Sequence, residues 1–152
     1  MKTCQNKIYH IYNRGNRKDL ICLEGEDFDF LVKVINESFN RIFFDVISIC
    51  VMPNHFHLLV SQTQKSEIWR GMHRIGTLYP KYFNKKYGLT GHLFEDSYKC
   101  KQVGDFIYFR KIVDYIRENP RDLIFFSREN FRLYENLFLQ DYYNILLTYP
   151  DE

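Results

Sequence analysis

The chain has 152 residues and a mass of 18.6 kDa, with 45% hydrophobic residues, 26% charged residues and a net charge of +2. That is the profile of one ordinary globular domain, and it excludes wholesale disorder. No apolar run reaches the about 18 residues a membrane span requires, and Met1 to Ile8 holds no stretch of signal-peptide type, so the default location is cytoplasmic with no membrane partner.

In chain order, residues 7–13 are β-branched and aromatic and are followed by Arg14-Gly15-Asn16, a first strand with a basic exit turn. From Glu26 to Phe39, apolar residues at Phe28, Leu31, Val32, Ile35 and Phe39 keep a helical spacing, and Glu24, Glu26 and Asp27 suit the positive end of the helix dipole. Residues 42–51 are an apolar run broken only by Asp45 and Ser48. Met52-Pro53-Asn54 then turns into a second strand, His55 to Val60, so the two should pair as a hairpin with the first covered on both faces. Ser66 to Tyr87 reads as a long basic helix that Pro80 should kink or interrupt. Tyr98 to Val103 reads as a short strand, and Asp105 to Glu118 as a second strong helix stopped by Asn119-Pro120. In residues 122–152 the pattern predicts one further helix, near Asp141–Leu147, packing on the core as a C-terminal extension. The order β-α-β-β-α-β-α predicts a single α+β domain: a ferredoxin-like or RNA-recognition-motif-like antiparallel sheet with helices mainly on one face.

Three further features bear on function. The four cysteines (Cys4, Cys22, Cys50, Cys100) stand singly with no CxxC pair, which argues against a zinc cage or a disulfide scaffold and for reduced thiols. Aromatic residues make up 18% of the chain: most must fill the core, while any exposed ring is a platform on which a nucleic-acid base can stack. The charge is unevenly spread, with +4 over residues 1–20 and +5 over residues 61–101 against −4 over 21–60 and −3 over 102–152. Two basic blocks make one phosphate-binding surface if the fold brings them together; otherwise they are solvated surface.

His55-Phe56-His57 places two imidazoles on one face of a strand, either a bidentate metal platform or an ordinary pair satisfied by nearby carbonyls. Tyr115 and Asn119 lie one turn apart on the last strong helix, roughly 100° and 70° from its core stripe. They are either flanking groups able to reach a site, or a boundary aromatic and a plain helix end.

The segments YHIYNRGN (9–16), VMPNHFHLLV (51–60), YFNKKYGLTGHLF (82–94) and YIRENP (115–120) together resemble the single-tyrosine HUH transposases of insertion-sequence type, most closely the REP-associated tyrosine transposases. The resemblance runs over about residues 7–121. It implies that His55 and His57 hold a divalent metal, Mg²⁺ or Mn²⁺, with Asn119 as third ligand, and that Tyr115 is the nucleophile. Ligand softness alone would favour Zn²⁺ or Mn²⁺ over Mg²⁺ on two imidazoles. The implied substrate is single-stranded DNA beside a hairpin, cleaved to a 5′-phosphotyrosine and a free 3′-hydroxyl. Arg14, Arg17 and Lys18, then Arg74, Lys81, Lys85 and Lys86, with Lys99 and Lys101, become the candidates for phosphate contacts. The family includes monomers and homodimers that contribute the tyrosine helix in cis or in trans.

The chain departs from the family's usual pattern in two places. Phe94, Glu95, Asp96 and Ser97 stand where Trp-Gln and then Gly-Arg are common, and Arg121-Asp122-Leu123-Ile124 replaces Val-Arg-Ala-Gly. Two readings compete with a strand transferase: a binding module that stacks bases without chemistry, and a catalytically silent binder of hairpin DNA.

Overall fold

A computed structural model describes residues 7–39, 44–62, 67–118 and 123–148. In chain order these form β1 (Ile8–Arg14), a 3₁₀ turn (Asn16–Lys18), α1 (Gly25–Ser38), β2 (Phe44–Met52), β3 (His55–Gln62), α2 (Ile68–Tyr87), β4 (Lys99–Val103), α3 (Phe106–Arg117), β5 (Leu123–Phe126) and α4 (Arg128–Thr148). The five strands make one antiparallel sheet in the order β4-β1-β3-β2-β5. Its first four strands follow the ferredoxin-like arrangement, and the expected α+β antiparallel class holds.

Strand alternation explains the layers. On β3, Phe56, Leu58 and Val60 point to one face, where they join Tyr9, Ile11 and Ile49 beneath α1 and α2. This is the larger core, and α1 and α2 supply the helical layer the sequence predicts on one face. The opposite face carries a second, smaller core. There Ile8, Ile47, Leu59 and Val103 meet Phe109 and Val113 of α3 and Phe131 and Tyr134 of α4. Because β1, β2 and β3 present apolar residues to both sides, that second face also needs a cover, which α3 and α4 provide.

Two local expectations differ from the structure. The helical run of α2 continues through Pro80, which does not interrupt it. Tyr79 and Phe83 on either side are fully buried in the larger core, and that packing outweighs a cost of about 3 kcal/mol for an internal proline. Downstream of α3, the structure adds a strand the sequence reading lacks, and the last helix starts well before Asp141. β5 is only four residues long and pairs along β2. Ser127 then opens α4, its hydroxyl oxygen accepting the Asn130 N–H at 3.2 Å in an N-cap. Cys22, Cys50 and Cys100 form no disulfide; Cys4 lies outside the described residues.

Candidate active site on the second face of the sheet

His55 opens β3 immediately after the Pro53-Asn54 turn, and that turn is pinned from outside. Gly15 N–H donates to the Asn54 carbonyl at 2.8 Å, and Ile21 and Cys22 N–H donate to the Pro53 carbonyl at 2.7 and 3.2 Å. The close approach requires a glycine, since a Cβ at position 15 would lie 2.0 Å from the Asp19 carbonyl oxygen. The chain leaves this point through Arg17 and Lys18, both with left-handed backbone (φ 58° and 62°).

His55 and His57 project from the face opposite the larger core, their ring centroids 5.1 Å apart and edge to face. Antiparallel register sets their neighbours: Tyr12 lies across from His57 on one side and Cys50 on the other, while His10 is the diagonal neighbour on β1. His57 therefore sits in a cluster of rings. The His10 centroid is 5.1 Å away with planes 17° apart, Tyr12 is at 5.5 Å, and Tyr115 of α3 meets it edge-on at 5.6 Å and 78°.

The second core places Tyr115. Phe109 and Val113 anchor α3 on the sheet, and Tyr108 and Tyr115, two turns apart, line the flank of the helix nearest the histidines. The Tyr108 hydroxyl lies 3.5 Å from His10 Nδ1. Tyr115 is 47% exposed and Trp69 is 52% exposed. Tyr9, Phe39, Phe56, Tyr79 and Phe109 are among the largest fully buried side chains, so much of the aromatic content is core.

Burial pushes His57 down to about 4, with the neighbouring His10 and His55 adding to the effect, and pushes His10 down to about 4, with Lys101 adding. Both imidazoles are thus neutral at pH 7 and carry lone pairs. Each histidine of the pair also has its Nδ1 engaged: His57 Nδ1 with His10 Nε2 at 3.0 Å, and His55 Nδ1 with Asn54 Oδ1 at 2.7 Å. An imidazole held through Nδ1 leaves Nε2 as the atom that could meet a divalent metal. Among the described residues no set of three or more His, Cys, Asp or Glu is placed to hold a metal. Asn119, the third ligand expected from the sequence, lies outside the described residues.

The basic candidates divide by face. Lys99 and Lys101 on β4 pair in register with Tyr12 and His10, and Arg14 pairs with His55, so all three start on the histidine face. Arg14 forms an ion pair with Glu95, while Arg17 and Lys18 are exposed on the loop beside the Pro53-Asn54 turn. Arg74, Lys81, Lys85 and Lys86 lie on α2, which packs in the layer on the other side of the sheet, so the second basic block is split: its β4 lysines share a face with Arg14 of the first block and its α2 residues do not. Arg74 reaches Glu37 at 3.7 Å and Ser38 Oγ at 3.3 Å. Lys86 is engaged by Glu24, by Glu26 at 3.3 Å and by Asp27 at 2.9 Å. The two acids that depart from the family pattern, Glu95 and Asp96, line a cavity of about 560 Å³ with Asn13, Trp69, His73 and His92, on the α2 side.

Sequence reasoning missed His10, Tyr108, Tyr12 and Asn54. Two signals were available: polar and aromatic residues alternating on β1 (His10, Tyr12), and Tyr108 placed seven residues before Tyr115 on one side of a helix.

The model of the IS200-like transposase family matches residues 3–119, and the chain belongs to that family. Among solved structures, it is similar to a REP-associated tyrosine transposase bound to a REP hairpin, with 18% identity over 77% of this chain and 68% of that one and a TM-score of 0.59. It is also similar to a candidate transposase from Deinococcus radiodurans R1, with 19% identity over 78% of this chain and 97% of that one and a TM-score of 0.54. Comparison with curated proteins gave no match.

Proposed function

We propose that this transposase is a metal-dependent single-stranded DNA endonuclease and strand transferase, with Tyr115 as nucleophile. The observation that carries the reading is the approach of Tyr115 to His57, at 5.6 Å between ring centroids, beside an imidazole pair whose Nδ1 atoms are both engaged. His55 and His57, with Asn119 as further donor, would hold Mg²⁺ or Mn²⁺. Such an ion supplies Lewis-acid polarisation of a phosphodiester and stabilises the charge that develops on its oxygens. An ordinary phenol, with a pKa of about 10, is a weak nucleophile at pH 7 and needs that help.

Tyr115 Oη attacks the scissile phosphorus, forming the Oη–P bond as the P–O3′ bond breaks. Its proton is lost to water, and the leaving 3′-oxygen takes one from water. The products are a 5′-phosphotyrosine and a free 3′-hydroxyl. The reverse reaction, attack of a 3′-hydroxyl on the phosphotyrosine, rejoins strands and releases Tyr115 without an external energy source. Lys99, Lys101, Arg17 and Lys18 would hold the flanking phosphates on this face. The hairpin carried by the REP-associated relative supports a hairpin-bearing strand as substrate.

The test is incubation of labelled hairpin-bearing single strands from DNA flanking the gene with protein and Mn²⁺ or Mg²⁺, followed by denaturing electrophoresis. A protein-linked band that requires metal and disappears in Tyr115→Phe and His57→Ala supports the reading. Hairpin binding with no linked band under any metal contradicts it and favours a silent binder.

A further inference from the structure

Arg14 starts on the histidine face, and its guanidinium is engaged there by an acid. In register it lies directly across from His55. Its carbonyl accepts the Glu95 N–H at 3.0 Å, Gly15 bridges to Phe94, and the Asn16 N–H donates to the Leu93 carbonyl at 2.8 Å. Residues 93–95 are therefore stitched along the exit of β1, and the Glu95 carboxylate meets Arg14 Nε. The pair is open to solvent, with the Arg14 side chain 49% exposed and that of Glu95 29% exposed.

We propose that Glu95 occupies the seat on Arg14 that a phosphate of the bound DNA strand takes, so that carboxylate and strand compete for one guanidinium. The inference rests on the DNA reading above and adds to it a residue that lowers affinity. Carboxylate and phosphate present the same chemistry to a guanidinium, anionic oxygens that accept its N–H groups. An ion pair this exposed is weak, so a strand anchored elsewhere on the face can displace it. Glu95 also has a place to go. It lines the cavity of about 560 Å³ on the α2 side, so rotation of its side chain moves the carboxylate off Arg14 while the backbone stays bonded. Those backbone bonds keep the acid within reach of Arg14 throughout, which makes it an intramolecular competitor at high effective concentration.

The experiment is fluorescence anisotropy of a labelled hairpin-bearing single strand from DNA flanking the gene, in EDTA and over a range of salt. The proteins are wild type, Glu95→Gln, Arg14→Gln, the double variant and Asp96→Asn. Glu95→Gln should bind about fivefold tighter, with a salt slope steeper by about one counterion. Arg14→Gln should cost about fivefold more in the Glu95→Gln background than in wild type, since there the guanidinium belongs wholly to the strand. Asp96→Asn removes the neighbouring exposed charge without freeing Arg14, and should change affinity by at most about twofold with the slope unaltered. An equal cost of Arg14→Gln in both backgrounds, a larger cost in wild type, or equal gains from Glu95→Gln and Asp96→Asn overturns the proposal. EDTA keeps metal and cleavage out of the measurement, so a failure of the Tyr115 chemistry leaves this result standing. Absence of hairpin binding by all of these proteins contradicts the DNA reading and overturns the proposal with it.

Discussion

At the scale of single residues, the histidine site shows how much of its chemistry lies in neighbours that the sequence names only indirectly. His-x-His on a strand was legible, because side chains two apart share a face. Which groups meet each Nδ1 was not, since the partners are a turn residue, Asn54, and a diagonal neighbour across β1 and β3. Register of this kind is fixed by long-range pairing and has no short-range signal. The basic loop makes a separate residue-scale prediction. Lys18 has a φ of 62°, a left-handed conformation that costs lysine about 1–2 kcal/mol and glycine almost nothing. Lys18→Gly should therefore raise stability by about 0.5–1 kcal/mol in urea unfolding while weakening hairpin binding. Unchanged or lower stability would show that the left-handed backbone there carries no strain.

At the scale of elements, the joint between α1 and α2 is a buried polar cluster. Asp27 is fully buried, yet it accepts from Leu23 N–H at 2.9 Å, Glu24 N–H at 3.2 Å, Tyr82 Oη at 2.9 Å, Lys86 Nζ at 2.9 Å and the Tyr87 hydroxyl. It closes the capping box of α1 and receives the C-terminal turn of α2. Burial alone would raise its pKa; the hydrogen bonds from Tyr87, Lys86, Leu23 and Tyr82 outweigh burial and hold the carboxyl well below the usual carboxylate range. Folding thus favours the ionised form. The stabilisation is complete above the unfolded value of about 3.8 and is lost as pH falls below it. Asp27→Asn should cost about 2 kcal/mol at pH 7, and the gap from wild type should narrow towards pH 2 in denaturant titrations. A gap independent of pH would mean that the charge contributes nothing. The same network engages Lys86, which looks in the sequence like part of a basic patch and fastens two helices in the fold. Lys86→Gln should accordingly lower stability more than it lowers DNA affinity, measured by thermal unfolding beside hairpin titration. Helix and strand periodicity made α1, α2, α3 and the first four strands readable, whereas β5, four apolar residues beside a cap, is too short to show a period.

At the scale of the whole molecule, the sheet separates a sealed face from one that carries the ring cluster. One face is sealed by α1 and α2 over the larger core; the other holds the second core at one end and the rings of His10, Tyr12, His55, His57 and Tyr115 beside it. Linear charge blocks could not reveal this division, because β4 and α2 fall in the same basic block of the sequence but on different layers of the fold. Lys99→Gln and Lys101→Gln should each reduce the salt dependence of hairpin binding by about one counterion, and Lys81→Gln by less. Equal effects from β4 and α2 would place the strand across both layers. The central claim, that Tyr115 becomes covalently joined to DNA through a 5′-phosphate, is most directly tested by trapping the protein with a cleavable hairpin strand and Mn²⁺, digesting both polymers and sequencing the adduct by mass spectrometry. The account predicts one nucleotide-modified peptide, linked at Tyr115 through the 5′-phosphate. A modification on another residue, a 3′-phosphate linkage, or cleaved DNA with no modified peptide would contradict it.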